Sequence, residues 1–96
     1  MAIEFDPAKD ARNIAARGIS LAAAESLLAG LTVERIDERR DYGEVRVVAI
    51  GEIAGRELVC VYTMRGENQR PISLRPANRR ERNVYRQAKA DRAGGA

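Results

Sequence analysis

Val45-Arg46-Val47-Val48-Ala49-Ile50-Gly51-Glu52-Ile53-Ala54-Gly55-Arg56-Glu57-Leu58-Val59-Cys60-Val61-Tyr62-Thr63-Met64 decides the fold. Side chains of an extended chain alternate with a period of two, so Val45, Val47, Ala49, Gly51 and Ile53 share one face. Val48 and Ile50 make the other face apolar between Arg46 and Glu52, which implies cover over its middle only. Ala54-Gly55 marks a tight hairpin. The returning arm, Glu57 to Met64, sets Leu58, Cys60, Tyr62 and Met64 opposite Val59, Val61 and Thr63.

Downstream, Arg65-Gly66-Glu67-Asn68 turns the chain again. Ile72 and Leu74 mark a last strand with its core face inward, which turns Ser73 and Arg75 to the other side. Asn78 with Glu81 three residues on is a capping box for a C-terminal helix. On that helix Val84, Tyr85 and Ala88 form a narrow apolar stripe beside a cationic ridge of Arg79, Arg82, Arg86 and Lys89. Upstream, Ala2 to Phe5 alternates like a short strand, and Asp6-Pro7 is a helix start. Ala8, Ala11, Ile14 and Ala15 lie on one face of the first helix, which Gly18 stops. Ser20 caps a second helix with Leu21, Ala24, Leu27 and Leu28 inward and Gly30 at its end. Leu31 to Ile36 is strand-like, and Asp37 to Glu44 is a charged turn. The expectation is an α+β fold: two short N-terminal helices, a three- to four-stranded antiparallel sheet and a C-terminal helix. Residues 1–90 form a single domain and 91–96 a flexible tail.

The 45% hydrophobic and 32% charged residues fit a folded globule rather than a disordered chain. No apolar run approaches the roughly 18 residues of a membrane span, and no secretory leader is visible, so a cytoplasmic location is expected. Cys60 is alone, in an apolar strand, and reads as a buried thiol. The net charge of +3 divides unevenly. Residues 1–64 hold 8 Lys+Arg against 11 Asp+Glu, a net of −3, and residues 65–96 hold 9 against 3, a net of +6. Lys9 and Lys89 are the only lysines. Arginine forks onto phosphate oxygens and stacks on bases, so the basic third points to nucleic acid or to an acidic protein.

Asp6-x-x-Lys9-x-x-x-Asn13 with Gly18 opens an ordered series of motifs. Asp41-Tyr42-Gly43-Glu44-x-Arg46, Ile50-Gly51, Gly55-Arg56-x-Leu58 and Val61-Tyr62-Thr63-x-Arg65 follow, then Ser73-x-Arg75 with Glu81-Arg82 and Tyr85. The series, from about Ile3 to Tyr85, resembles the BrnT toxins, the ribonuclease half of a type II toxin–antitoxin pair. The resemblance implies a RelE-like fold and an endoribonuclease that cleaves RNA without a metal or other cofactor. It also implies neutralisation by a BrnA-type antitoxin whose ribbon-helix-helix part binds operator DNA, so the toxin meets DNA only through its partner. Where the family has Lys-His-Gly at the end of the first helix, this chain has Ala16-Arg17-Gly18, and it contains no histidine. Either a proton carrier is lost, or Arg17 keeps a charge that contacts phosphate.

Metal-free RNA cleavage needs a base for the 2′-hydroxyl proton, donors for the charged phosphorane and an acid for the 5′-oxygen. Glu81, Glu44, Tyr85, Tyr62 and Lys9 are the groups able to move protons. Arg65, Arg75 and Arg82 are assigned to the phosphate and Glu81 or Tyr85 to proton transfer, with the three arginines converging on one phosphodiester. Lys9, Arg12, Arg17, Arg70, Arg79, Arg80 and Arg86 are assigned to RNA binding. Purely structural readings stand beside these: Glu81 as a helix cap, Tyr62 and Tyr85 as core-edge packing, Arg82 and Arg86 as solvated charge. Asp37, Glu38, Asp41 and Glu44 resemble a metal cluster, but Arg39 and Arg40 neutralise them, and no metal is assigned. Cys60 has no histidine to activate it. The alternative function is a catalytically degenerate module that binds nucleic acid or antitoxin.

Overall fold

The computed structural model describes residues 2–94. Helix α1 (Pro7–Arg17), a 3-10 turn (Leu21–Ala23) and helix α2 (Ala24–Ala29) come first. Strands β1 (Val33–Ile36), β2 (Val47–Ile53), β3 (Arg56–Arg65) and β4 (Asn68–Pro76) follow, then helix α3 (Arg79–Gly94). The strands form one antiparallel sheet in the order β1-β2-β3-β4, the α+β meander that the alternation implied. Ala54 and Gly55 both take positive φ, 51° and 79°, the mirror-image turn whose twist suits a two-residue hairpin.

Each face of the sheet buries its own apolar set. On the first, Leu21, Ala24 and Leu27 pack over Ala49, Leu58, Cys60, Tyr62 and Leu74. A Cβ at Gly51 would lie 2.8 Å from Leu27 Cγ, so the missing side chain lets α2 sit down on β2. On the second face, α3 presses Tyr85, with Ala77 before it, onto Val48, Ile50 and Val59. This cover reaches the middle of the sheet and leaves the β3–β4 end open. Burial pushes the Cys60 thiol up to about 12, so it packs as an inert apolar group.

Four expectations need correction. In α1, Ala8, Ala11, Ile14 and Ala15 all face solvent, and the one buried residue is Asn13. Hydrogen bonds, not an apolar stripe, fix this helix. Asp10 accepts from Ser20 Oγ at 2.9 Å and from the Leu21 N–H at 2.7 Å. Asn13 Nδ2 donates to Leu74 O and to Ile19 O, both at 2.8 Å, while Leu74 N–H donates to Asn13 Oδ1 at 3.2 Å. In β4 a bulge falls between the pairs Val61↔Ser73 and Tyr62↔Pro71, leaving Ile72 as the extra residue. Pro71 takes the core position opposite Tyr62, and Ile72 is only half-buried. Finally, α3 continues through Gly94, so residues 91–94 of the expected tail are helical, and Gly95 and Ala96 lie outside the described residues. The expected N-terminal strand reduces to one parallel bridge, Ile3↔Gln69, beside β4.

Removing the Asn13 carboxamide leaves the buried Leu74 carbonyl and amide unpaired, a cost of about 2–3 kcal/mol. For a domain of this size that is a fall in Tm on the order of 10 °C. Asn13→Ala and Asn13→Asp are both expected to show it by circular dichroism, because a carboxylate cannot donate to the Leu74 and Ile19 carbonyls.

Candidate nucleic-acid interface

Along the seam between α1 and the open end of β3–β4 run two adjoining hollows of about 220 and 210 Å³. Lys9 and Ile72 line both. The first adds Arg12, Arg17 and Ser73, and the second adds Arg46, Arg65, Arg70, Thr63, Tyr42 and Glu44. Glu44 is the only acid in either lining, and it pairs with Arg46 at 3.2 Å. Among the described residues Lys9, Arg12, Arg17, Arg65 and Arg70 make no ion pair. The seam is therefore a strip of uncompensated positive charge, the electrostatic signature of phosphate binding.

Local geometry explains how the strip forms. The Asp6 carboxylate accepts from the Ala8 N–H at 2.9 Å, Pro7 fills the first helical turn, and Gly18 closes the helix at φ 71°. The Asn13–Leu74 bonds then hold the turns carrying Lys9, Arg12 and Arg17 against the β4 edge. Arg65 and Arg70 come from either side of the second hairpin, where Arg70 sits beside Thr63 in register. The loop between β1 and β2 supplies the remaining wall. Asp37, whose side chain is almost fully buried, accepts from Arg39 Nε at 2.9 Å, Arg39 Nη2 at 2.8 Å and Tyr42 Oη at 3.1 Å. The Arg39 guanidinium holds that carboxyl far below the usual carboxylate range. Tyr42 in turn carries the Arg46 guanidinium over its ring, 4.1 Å from the centroid.

The residues assigned from sequence thus separate into three groups. Lys9, Arg12, Arg17, Arg65 and Arg70 come together in the seam. Arg75 and Glu81 form a clamp elsewhere, with Arg75 Nη1 and Nη2 donating to the two carboxylate oxygens at 2.7 and 2.8 Å. Glu81 also accepts from the Asn78 N–H at 2.9 Å, while Asn78 Oδ1 accepts from the Glu81 N–H at 2.8 Å, completing the capping box. The Arg75 guanidinium and these cap bonds hold the Glu81 carboxyl below its usual range. On α3, Arg82 Nη1 donates to Ala77 O at 2.9 Å, and Arg86 and Lys89 pair with Glu57 and Glu52. Tyr85 is buried, and its hydroxyl donates to Leu31 O at 3.2 Å. Arg79 and Arg80 are exposed in the first turn of that helix.

Arg65, Arg75 and Arg82 therefore do not converge on one phosphodiester. Arg75 pairs with Val59 in register, six residues along β3 from Arg65, a separation of about 20 Å. Tyr62 lies on the other face of the sheet, where its hydroxyl donates to Glu34 at 3.0 Å, and burial raises its pKa. Arg46 and Tyr42 are the seam residues that sequence assignment overlooked. The signal was the ordered spacing Tyr42-x-Glu44-x-Arg46 leading into a strand. Among the described residues no group of three or more Asp, Glu or Cys is placed to hold a metal ion.

The clamp has a measurable consequence. Because the folded-state pKa of Glu81 is depressed, its contribution to stability is complete above the ordinary value of 4.5 and is lost as pH falls through the folded value. Glu81→Gln, which keeps a capping side chain, is expected to cost on the order of 1 kcal/mol at pH 7 for this partly exposed pair. The Tm gap between the two proteins is expected to shrink as pH drops below about 4.5, measured by thermal melts across pH.

No curated protein matches the chain. Residues 5–81 match the family described as the ribonuclease toxin, BrnT, of type II toxin-antitoxin systems. That span takes in every residue of the basic seam and ends at Glu81. This protein belongs to the BrnT ribonuclease toxins, and as the toxin of such a pair it has an antitoxin for a partner.

Proposed function

We propose that the chain is a metal-independent endoribonuclease that cuts cytoplasmic RNA in the α1–β4 seam, arrests translation and growth, and is neutralised by a BrnA-type antitoxin. One observation carries the reading. Five cations without an ion-pair partner among the described residues line a continuous seam that lies within the span matched by the family. A single-stranded backbone laid along it would meet Arg12 and Arg17 at one end, Lys9 in the middle, and Arg46, Arg65 and Arg70 at the other. The Arg46 guanidinium, held by Glu44 and the Tyr42 ring before the substrate arrives, would stabilise the extra charge of a phosphorane more than that of the ground-state phosphodiester.

Proton transfer falls to the groups the seam contains. Tyr85 and Tyr62 are occupied away from it, and the carboxyl of Glu81 is fully used by Arg75 and the helix cap. Glu44 remains as the base. It takes the 2′-hydroxyl proton as the 2′-oxygen bonds to phosphorus. The bond to the 5′-oxygen breaks, and Lys9 protonates that leaving oxygen, giving a 2′,3′-cyclic phosphate and a 5′-hydroxyl. Arg75 and Arg82 are assigned here to holding the β4–α3 corner.

Arg65→Ala and Arg70→Ala are each expected to cut the cleavage rate in EDTA by about 100- to 1,000-fold while leaving the melt unchanged. Glu44→Gln is expected to lose on the order of 100-fold with RNA still bound. Gel analysis of an end-labelled RNA reads both. Full activity in the two arginine variants would end the assignment. The degenerate-module reading has its own support, since the seam offers no histidine and its one acid is paired. It requires that the unaltered chain bind RNA with a steep salt dependence yet cut nothing, and that Arg17→His gain cleavage.

A further inference from the structure

A second hollow, of about 370 Å³, lies between β1, β2 and the first turns of α3 and shares no lining residue with the basic seam. Val33, Val48, Ile50 and Val84 give it an aliphatic floor, and Arg35 and Arg80 stand at its rim. Val84 is 45% exposed, a large apolar side chain left uncovered on a helix that already has a core to pack against. Two acids also line it, and both are engaged. Glu34 accepts from Thr32 and Tyr62, and Glu81 is held by Arg75 and Asn78. Among the described residues neither Arg35 nor Arg80 has an ion-pair partner. Glu34 keeps its charge, since both its donors are neutral hydroxyls, so two free arginines against one free carboxylate leave the lining net positive.

The two edges of the sheet are treated differently. Beyond β4, the backbone of Gln69 bonds to Ala2 and Glu4, and the Asn13 side chain covers Leu74. Beyond β1, among the described residues, nothing pairs, since that strand is bonded only to β2. An open edge offers backbone donors and acceptors to an extended peptide. The aliphatic floor has no aromatic ring on which a nucleobase could stack, which separates this hollow from an RNA site.

We propose that the β1–α3 hollow is a docking site for an acidic segment of the antitoxin that seats an aliphatic side chain over Val84 and pairs its carboxylates with Arg35 and Arg80. The inference rests on the toxin reading above and adds where the partner holds on. Because the hollow and the basic seam have separate linings, anchoring the antitoxin and blocking the RNA path are separable tasks.

The test uses the full chain and, as probe, the purified antitoxin of its pair. Val84→Asp and Arg35→Glu change exposed side chains outside the seam, so both variants are expected to melt and to cut RNA like the parent. Each is expected to raise the Kd for the probe at least tenfold by calorimetry, whereas Arg65→Ala loses cleavage and binds the probe normally. Unchanged affinity in both variants would overturn the docking site and leave the toxin reading standing. Weaker RNA binding in both would give the hollow to RNA instead. Self-association of the parent in sedimentation, abolished by Val84→Asp, would make a second copy the occupant. Failure of the parent to bind the probe at all would sink the docking site together with the toxin reading.

Discussion

One carboxamide ties the two halves of the molecule together. Asn13 reaches from α1 to both backbone groups of Leu74, sixty-one residues away, and pairs with the β4 edge as a neighbouring strand would. A helix whose apolar side chains face solvent has no hydrophobic reason to stay against the sheet. Its attachment depends on Asn13, on Asp10 bonding Ser20 and Leu21, and on little else. The basic seam exists only because that attachment holds. Lys9 and Arg17 sit one turn to either side of Asn13, with Arg12 next to it, and they face Ser73, Arg65 and Arg70 only while the helix lies along the strand. Edge protection and site construction are the same set of hydrogen bonds.

Charge is distributed by contact rather than by chain segment. The last third of the sequence carries a net of +6, yet much of it never reaches solvent as free charge. Arg86 and Lys89 are met by Glu57 and Glu52 from the hairpin beneath them, Arg75 by Glu81, and Arg82 by the Ala77 carbonyl. The first two thirds carry a net of −3 and still provide three of the five cations in the seam that form no ion pair among the described residues, Lys9, Arg12 and Arg17. Acids of β2 and β3 thus neutralise the C-terminal helix and leave the opposite end of the sheet to present the field.

The strands were legible because a period of two records burial directly, and both hairpins fell where turn residues interrupted it. The first helix was misread for a related reason. Apolar periodicity finds a buried face only when burial is apolar, and α1 is held through Asp10 and Asn13. The Ile72 bulge escaped notice because an inserted residue leaves the flanking alternation looking intact, with Pro71 taking the inward place. The site was legible as a set of residue types and less so as a geometry. Alternation correctly turned Ser73 and Arg75 away from the first core, but a face carries no coordinate along the strand. Arg65 and Arg75 share a face and lie about 20 Å apart. The capping box at Asn78 and Glu81 was plain from spacing alone, and the added clamp from Arg75 was not.

Without a histidine, a phosphate site of this kind must draw its power from charges already in place. The loop from Asp37 to Arg46 shows how that is arranged. The buried Asp37 carboxylate fixes Arg39 and the Tyr42 hydroxyl, the Tyr42 ring carries Arg46, and Glu44 holds the same guanidinium from its other side. Thr63 fastens the loop to β3 by donating to Val45 O at 2.8 Å. Arg46 is therefore placed in the seam in advance, the preorganisation on which the proposed cleavage would draw. The same ion pair places the Glu44 carboxyl, the proposed base, directly against the guanidinium. Base and clamp are one ion pair, so loosening either partner disturbs both roles at once.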